Sequence, residues 1–206
     1  MTTANISFNP VISTNFPGSF YVQSDGYVQG TFMDDPAVRY ALSGGVLAST
    51  ETLPMWGGVG INEAVPSPLS SSNAAPELGS VVTRAADYAH LTGFTVFNQA
   101  SNMVQTPQSR VPLAGTGMTV NFFRFGSGAR IAVACSSALA TALEGGSILQ
   151  EVSWDFTNQV LVTFATTALP VKVLNVNIGN SKIVTYSGST GFANWTDNGS
   201  TALIQI

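Results

Sequence analysis

The hydrophobic positions of this chain recur in short alternating runs, and Gly, Asn and Pro separate one run from the next. Alternation with a period of two predicts strands that bury one face, and the separating residues predict turns. Strands are predicted at residues 20–23, 27–32, 92–97, 118–123, 129–134, 148–154, 160–164, 171–178, 182–186 and 202–206. The pattern therefore indicates an all-β protein, either a β-sandwich or a β-barrel.

Three short turns are predicted to join neighbouring strands, at residues 24–26, 155–158 and 179–180. In the hairpin around the second turn, five side chains compete for the buried face: Val152, Trp154, Val160, Val162 and Phe164. The apolar residues 202–206 are predicted to close a sheet, within this subunit or in a neighbouring one.

Helix is predicted at two places only, because helix-forming residues are scarce. Residues 136–144 begin with a serine suited to capping and are followed by two glycines. Residues 36–42 begin with a proline, and Asp34 or Asp35 is the expected cap of a single turn.

Two long loops and an N-terminal segment lack periodicity. Residues 1–18 are predicted to be an extended arm, followed by a β-rich domain over 19–206. That domain is either single or made of two packed β lobes that divide near 100–117. The loops at 64–79 and 100–117 are long enough to suggest a function or a partner that pins them.

The charge content excludes several classes of protein. Charged residues make up only 9% of the chain, and 7 basic against 11 acidic residues give a net charge of −4. So few cations cannot build a groove for nucleic acid. No apolar run is long enough to predict a membrane span, and the single cysteine excludes an internal disulfide, in keeping with synthesis in a reducing cytoplasm. A surface of Ser, Thr, Asn and Gly in place of charges predicts extensive contact with other proteins.

The reactive residue types have ordinary structural explanations. The only histidine, His90, lies three residues after Asp87, and a Ser-His-Asp relay would have to use this pair; a surface histidine is the expected reading. Cys135 follows an apolar run and is predicted to be a small buried hydrophobic residue.

Neighbouring carboxylates are explained in the same way. Asp34 and Asp35 suit a helix cap, and Glu151 and Asp155 suit a strand end and a turn. No calcium-loop or phosphate-binding glycine motif occurs. We therefore predict no catalytic residue, no cofactor and no metal site.

Several large apolar residues fall outside the predicted strands, where they either pack over the core or contact a partner. Trp195 precedes a turn and belongs to this group. The residues predicted to contact a partner are Phe16, Pro17, Tyr21, Met55 and Trp56.

The chain resembles the capsid decoration, or cement, proteins of tailed bacteriophages. The resemblance is one of pattern over most of the chain, carried by Phe16-Pro17-Gly18, the 27–32 and 34–40 segments, Gly44-Gly45-Val46-Leu47, Gly57-Gly58-Val59, the 93–97 and 125–133 segments and Trp154-Asp155-Phe156. It implies a β-rich virion protein that binds the major capsid protein on the outer capsid face as a homo-oligomer, a dimer or a trimer. It also implies that no catalytic residue is present.

The composition agrees with that role, because removing an uncharged polar surface from water costs less free energy than removing a charged one. A carbohydrate-binding β-sandwich, such as an adhesin, lectin or tail-fibre module, is the alternative. In that case an exposed Trp56 or Trp195 would stack on sugar. An enzyme that uses His90 and Asp87 ranks third.

Overall fold

The computed structural model describes residues 3–7, 19–23, 26–33, 35–64, 80–97, 111–144 and 149–206, with backbone alone for the first two ranges. The strands are β1 (Thr3–Ser7), β2 (Ser19–Gln23), β3 (Ser43–Leu47), β4 (Gly60–Ala64), β5 (Ser80–Arg84), β6 (Gly93–Val96), β7 (Thr119–Arg124), β8 (Arg130–Ala134), β9 (Val152–Asp155), β10 (Val160–Thr163), β11 (Lys172–Ser187) and β12 (Phe192–Gln205). The helices are α1 (Pro36–Arg39) and α2 (Ser137–Leu143). The all-β prediction is confirmed.

Five strands close into a barrel in the order β3-β5-β4-β6-β7. The β3–β5 pair is parallel and the other pairs are antiparallel. Alternate residues of these strands point inward and form one core, which includes Leu47, Ile61, Val82, Val120 and Phe122. Closure leaves no free strand edge in the barrel.

A second core lies against the outer face of β6 and β7. Phe94 and Phe123 are opposite each other in these strands and point away from the barrel interior. They pack against a three-stranded sheet ordered β11-β12-β8, the β9–β10 hairpin and α2. The two strands β6 and β7 are thus a wall shared by both cores.

The long β11–β12 hairpin joins the two cores. Its open end packs in the second core through residues such as Val173 and Ile204, and its far end packs on the barrel through Val184, Tyr186 and Ala193. A 16-residue strand spans about 50 Å at the usual rise per residue. This hairpin is therefore long enough to pack on both cores.

The segment before α1 holds the same parts together. The Gln29 side chain is buried and accepts a hydrogen bond from the Val184 N–H (2.8 Å). The Gly30 N–H donates to the Ala132 carbonyl in β8, and the Gly30 carbonyl accepts from the Phe97 N–H beside the barrel. Backbone bonding thus ties this segment to both sheets.

Both predicted helices are present with the expected caps, although α1 ends at Arg39 and not at residue 42. The Asp35 side chain accepts from the Ala37 N–H, and the Ser136 side chain accepts from the Leu139 N–H. The predicted strands at 92–97, 118–123 and 129–134 correspond to β6, β7 and β8. Residues 202–206 lie at the end of the central strand of the three-stranded sheet, so they close a sheet of this chain.

The predicted turn at 179–180 is wrong. Residues 172–187 form one continuous strand, and the hairpin reverses after Ser187. Gly179 has a φ of 66°, and the register shifts between Asn177 and Ser181. The glycine signal therefore marks a β-bulge, in which the extra residues bend the strand without reversing it.

The predicted strand at 27–32 is also wrong. Its residues make only isolated bridges, from Val28 to Lys182 and from Phe32 to Ile131. Gly30 has a φ of 82°, which interrupts the extended conformation as the chain crosses from one sheet to the other. Strands β3, β4 and β5, with their short or glycine-containing runs, were not predicted.

The β9–β10 hairpin is confirmed, but its second strand presents the other face. Leu161 lies opposite Trp154, so these two residues share the buried face. Val160 and Val162 are half-buried on the other face, and Phe164 is 47% exposed. The buried face predicted for β10 is therefore wrong. Neighbouring residues of one strand point to opposite faces, so a register that differs by one residue exchanges the buried and exposed faces.

The predicted arm and loops lie mainly outside the described residues. Within residues 1–18, only β1 is described, and it pairs antiparallel with β2 from Thr3↔Gln23 to Ser7↔Ser19. The predicted loop at 64–79 is described only at Ala64. Of residues 100–117, only 111–117 are described, and Val111 and Ala114 are fully buried in the barrel core. The division into two lobes stays a prediction.

Candidate functional site

The only histidine does pair with an acid. Asp87 and His90 lie on an exposed turn, with the Asp87 Oδ1 atom 2.7 Å from His90 Nδ1 and accepting from the His90 N–H at 3.0 Å. The hydrogen bond from His90 lowers the pKa of the Asp87 carboxyl. More than half of each side chain is exposed. Among the described residues no hydroxyl bonds the other ring nitrogen, which a Ser-His-Asp relay requires.

Cys135 is buried at the end of β8, within the second core. Burial raises the pKa of the Cys135 thiol to about 12. A thiol with so high a pKa stays protonated at neutral pH and is a poor nucleophile. The position agrees with the prediction of a small buried hydrophobe.

A polar cluster lies at one end of the barrel. Arg124 binds the Glu63 carboxylate through Nε (2.5 Å) and a terminal nitrogen (2.6 Å), and it donates to Ser43 Oγ (2.7 Å). Ser80 also donates to Glu63. Four strands contribute to this cluster, and the Glu63 side chain is only 6% exposed.

The chemistry of this cluster is that of an ion pair. The hydrogen bonds from Arg124 are the largest cause that lowers the pKa of Glu63, which makes its carboxylate a weak base toward Ser80. Those same bonds raise the pKa of the Arg124 guanidinium. Arg124 and Glu63 therefore close this end of the barrel.

The other acidic candidates do not converge. Asp35 caps α1, while Asp34 lies outside the described residues. Asp155 accepts from the backbone N–H groups of the turn that follows, and the hydrogen bond from the Asn158 side chain is the largest cause that lowers its pKa. Glu151 is exposed. Within the described ranges, no group of three His, Cys, Asp or Glu side chains is placed to hold a metal ion.

Two of the predicted partner contacts are buried within the chain itself. Met55 is fully buried, and Trp56 is 8% exposed, both in the barrel core. These two assignments are therefore corrected, since the side chains offer almost no surface to a partner. Phe16 and Pro17 lie outside the described residues, and Tyr21 is described only by its backbone, which pairs with Asn5.

The tryptophans of the carbohydrate-binding alternative are also engaged. The Arg84 guanidinium lies 4.9 Å from the Trp56 ring centre, and Tyr186 stacks on Trp56 at 5.7 Å. Trp195 is half-buried and packs edge-on against Phe97 at 5.6 Å. Because Trp56 is also 8% exposed, it offers almost no surface on which a sugar ring could stack.

Within the described ranges, large apolar side chains are exposed at four other places, which we call the apolar surface sites. One is Leu53, which is 40% exposed in the loop between β3 and β4. Beside α1, Tyr40 is 93% exposed and Met33 is 45% exposed. At the open end of the β9–β10 hairpin, Leu149 is 69% exposed, and Phe164 is at the same end. At the tip of the β11–β12 hairpin, Phe192 is 39% exposed.

In comparisons with protein-family models, curated proteins and solved structures, nothing matches this chain. The part of the chain that the structure describes contains no helix long and apolar enough to cross a membrane.

Sequence reasoning missed both the ion pair at the barrel end and the apolar surface sites. Glu63 and Arg124 are 61 residues apart, and only barrel closure brings them together. Tyr40 does carry a local signal, since it follows a four-residue helix in which no residue is buried. Leu149 has no such signal, because its neighbours alternate as in a strand.

Proposed function

We propose that this protein is a capsid decoration protein of a tailed bacteriophage. In this role it binds the outer surface of the major capsid lattice as a homo-oligomer, a dimer or a trimer, and stabilises the head. It acts as a structural virion protein and not as an enzyme.

The observation that carries the proposal is the exposure of the apolar surface sites on a chain with few charges. Tyr40 and Leu149 expose most of their side chains, although the same chain buries Met55 and Trp56. Burial of apolar area against a partner contributes about 25 cal/mol per Å². The sites are spread over both cores, which suits a broad contact with several partner subunits.

The two cores and the hairpin that joins them support a mechanical role. A cement protein has to transmit load between capsid subunits without changing shape. The β11–β12 hairpin packs on both cores, and the barrel has no free edges at which strands could separate. Many weak contacts on one lattice then add through avidity.

The test is co-sedimentation of the purified protein with phage capsids that lack it. We expect saturable binding and an increase in the temperature at which the capsids break open. A variant with Tyr40→Ser and Leu149→Ser should bind at least about tenfold more weakly, with an unfolding free energy within about 1 kcal/mol of the wild type.

Thr185→Ala is the matched control, because Thr185 is exposed and polar, and it should bind capsids like the wild type. Absence of any co-sedimentation would contradict the proposed function. Unchanged binding of the double variant would instead show that the apolar surface sites are not the contact. Thermal stabilisation by a glycan, without capsid binding, would favour the carbohydrate-binding alternative.

A further inference from the structure

A row of polar residues crosses one end of the three-stranded sheet. Lys172 lies opposite Gln205, and Gln205 lies opposite Arg130. Opposite residues of antiparallel strands point to the same face. Strands are about 4.8 Å apart, so the two cationic residues are about 10 Å apart at the backbone, within reach of a common group over Gln205. We call these three residues the cationic row.

The row carries positive charge that the described residues do not neutralise. Arg84, Arg124 and Lys182 each form an ion pair with a carboxylate of the same chain. Lys172 and Arg130 are exposed, and no ion pair joins either one to another described residue. Both cations on this face are therefore available to an anionic group of a partner.

An apolar cleft adjoins the row. Its volume is about 410 Å³, and Lys172 and Gln205 form part of its lining. The remaining wall is mostly apolar or without side chains: Gly126, Gly128, Leu169, Pro170, Val171 and Ile206. A charged row and an apolar cleft thus share two residues.

We propose that the cationic row and its cleft bind a segment of a partner protein in which an acidic residue stands next to an apolar one. Arg130 and Lys172 hold the carboxylate, and the Gln205 carboxamide donates to it from between them. An arginine can donate two parallel hydrogen bonds to one carboxylate. The neighbouring apolar side chain enters the cleft.

The combination of charge and apolar wall favours a peptide over a polyanion. Two cations release too few counterions to hold nucleic acid tightly. Phosphate has no apolar group that could pack against Leu169 or Val171. A carboxylate beside an aliphatic side chain uses both features. The inference concerns the chemistry of one contact and stands without the proposed function.

The experiment is an NMR titration of the full ¹⁵N-labelled chain with the blocked peptide Gly-Leu-Glu-Leu-Gly. We expect amide shifts confined to residues 126–130, 169–172 and 203–206, with saturation in the millimolar range or below. The peptide with Gln in place of Glu should bind at least about tenfold more weakly, because it lacks the charge.

Variants distinguish binding by the cationic row from a general effect of the net charge of the protein. The variants Arg130→Glu and Lys172→Glu, each made singly, should lose the shifts, and the milder Lys172→Gln should weaken binding while keeping the fold. Lys182→Glu is the control, since it makes the same charge change on the same strand and its side chain is exposed. It should bind the peptide nearly as well as the wild type.

Three results would overturn the proposal. One is equal binding of the Glu and Gln peptides, and another is an equal loss of binding in the Lys182 variant. The third is tighter binding of inorganic phosphate or a short DNA strand than of the peptide at the same site. Because no capsid is used, failure here leaves the proposed function standing, and failure of capsid binding leaves this proposal standing.

Discussion

Trp154 shows how one residue organises its surroundings. Its ring is 3% exposed and packs edge-on against Phe94, with ring centres 4.8 Å apart. The backbone N–H of Trp154 donates to the Tyr88 hydroxyl at 2.8 Å, which ties β9 to the loop that carries His90. A Cβ atom on Gly60 would lie 3.0 Å from the indole nitrogen, so the close packing here needs a glycine. Through its ring and its backbone, this single residue therefore joins a hairpin, a barrel strand and a loop.

Trp154→Ala should lower the unfolding free energy by about 3–5 kcal/mol, because it leaves a large cavity in the second core. Denaturant unfolding of the purified protein measures the change. Phe164→Ala in the same hairpin is the control, and it should cost less than about 1 kcal/mol because the ring is half exposed. A loss below about 0.5 kcal/mol for Trp154→Ala would contradict the packing described.

Cys135 should react with a thiol reagent only when the protein opens. Its burial and its pKa of about 12 leave almost no accessible thiolate at neutral pH. We expect labelling to be slow in buffer and complete within the mixing time in denaturant. Rapid labelling of the native protein at pH 7 would show that this thiol is exposed.

At the scale of elements, the β11–β12 hairpin decides how the two cores are joined. Ala193 is fully buried against the barrel, and the next residue, Asn194, is exposed on the other face. The two positions differ only in the face that the strand presents. Substitutions at these two positions therefore test whether the hairpin packs on the barrel through this face.

Ala193→Asp should destabilise the protein by about 3–5 kcal/mol, because it places an unpaired charge in the barrel core. Asn194→Asp introduces the same carboxylate on the exposed face and should change stability by less than about 0.5 kcal/mol. Thermal unfolding of the two variants is the measurement. Equal effects would mean that the hairpin does not pack on the barrel as described.

At the scale of the whole molecule, ion pairs close both ends of the barrel. Glu63 pairs with Arg124 at one end, while Glu51 pairs with Arg84 among the loops at the other. The lowered pKa of Glu63 makes this closure depend on pH. A carboxyl whose pKa is lower in the folded state stabilises the fold above its unfolded pKa, near 4.3, and loses that effect as the pH falls through the folded value.

Glu63→Gln should therefore cost more at pH 7 than at pH 3. At pH 7 the expected loss is about 1–2 kcal/mol, because neutral hydrogen bonds replace charge-assisted ones. The loss is not larger because solvent around the half-exposed Arg124 screens its charge. Denaturant unfolding at the two pH values measures both losses. Glu144→Gln, at an exposed position after α2, should show no such difference, and equal losses for Glu63→Gln would contradict the role assigned to the pair.

Deletion of residues 1–16 should separate folding from capsid binding. The deletion removes β1 and leaves β2 without its partner strand, and a two-stranded hairpin adds little stability by itself. We expect a melting temperature within a few degrees of the wild type and loss of co-sedimentation with capsids. An equal loss of folding would show that this segment belongs to the core.

Local features were predictable because they depend on residues close together in the chain. The caps at Asp35 and Ser136, the strands β6 to β8 and the burial of Trp154 and Cys135 are of this kind. The exposed Asp87–His90 pair also follows from a spacing of three residues on a turn.

By itself, the sequence determined that the chain is a β protein with two short helices, since alternation and capping act over a few residues. Only the tertiary structure decided which face of β10 is buried, that Gly179 bends a strand instead of reversing it, and that Trp56 packs against Arg84 and Tyr186. The cationic row belongs to the same class. Each of these features requires strands from distant parts of the chain to meet, and pairing register is set by the packing of the whole fold.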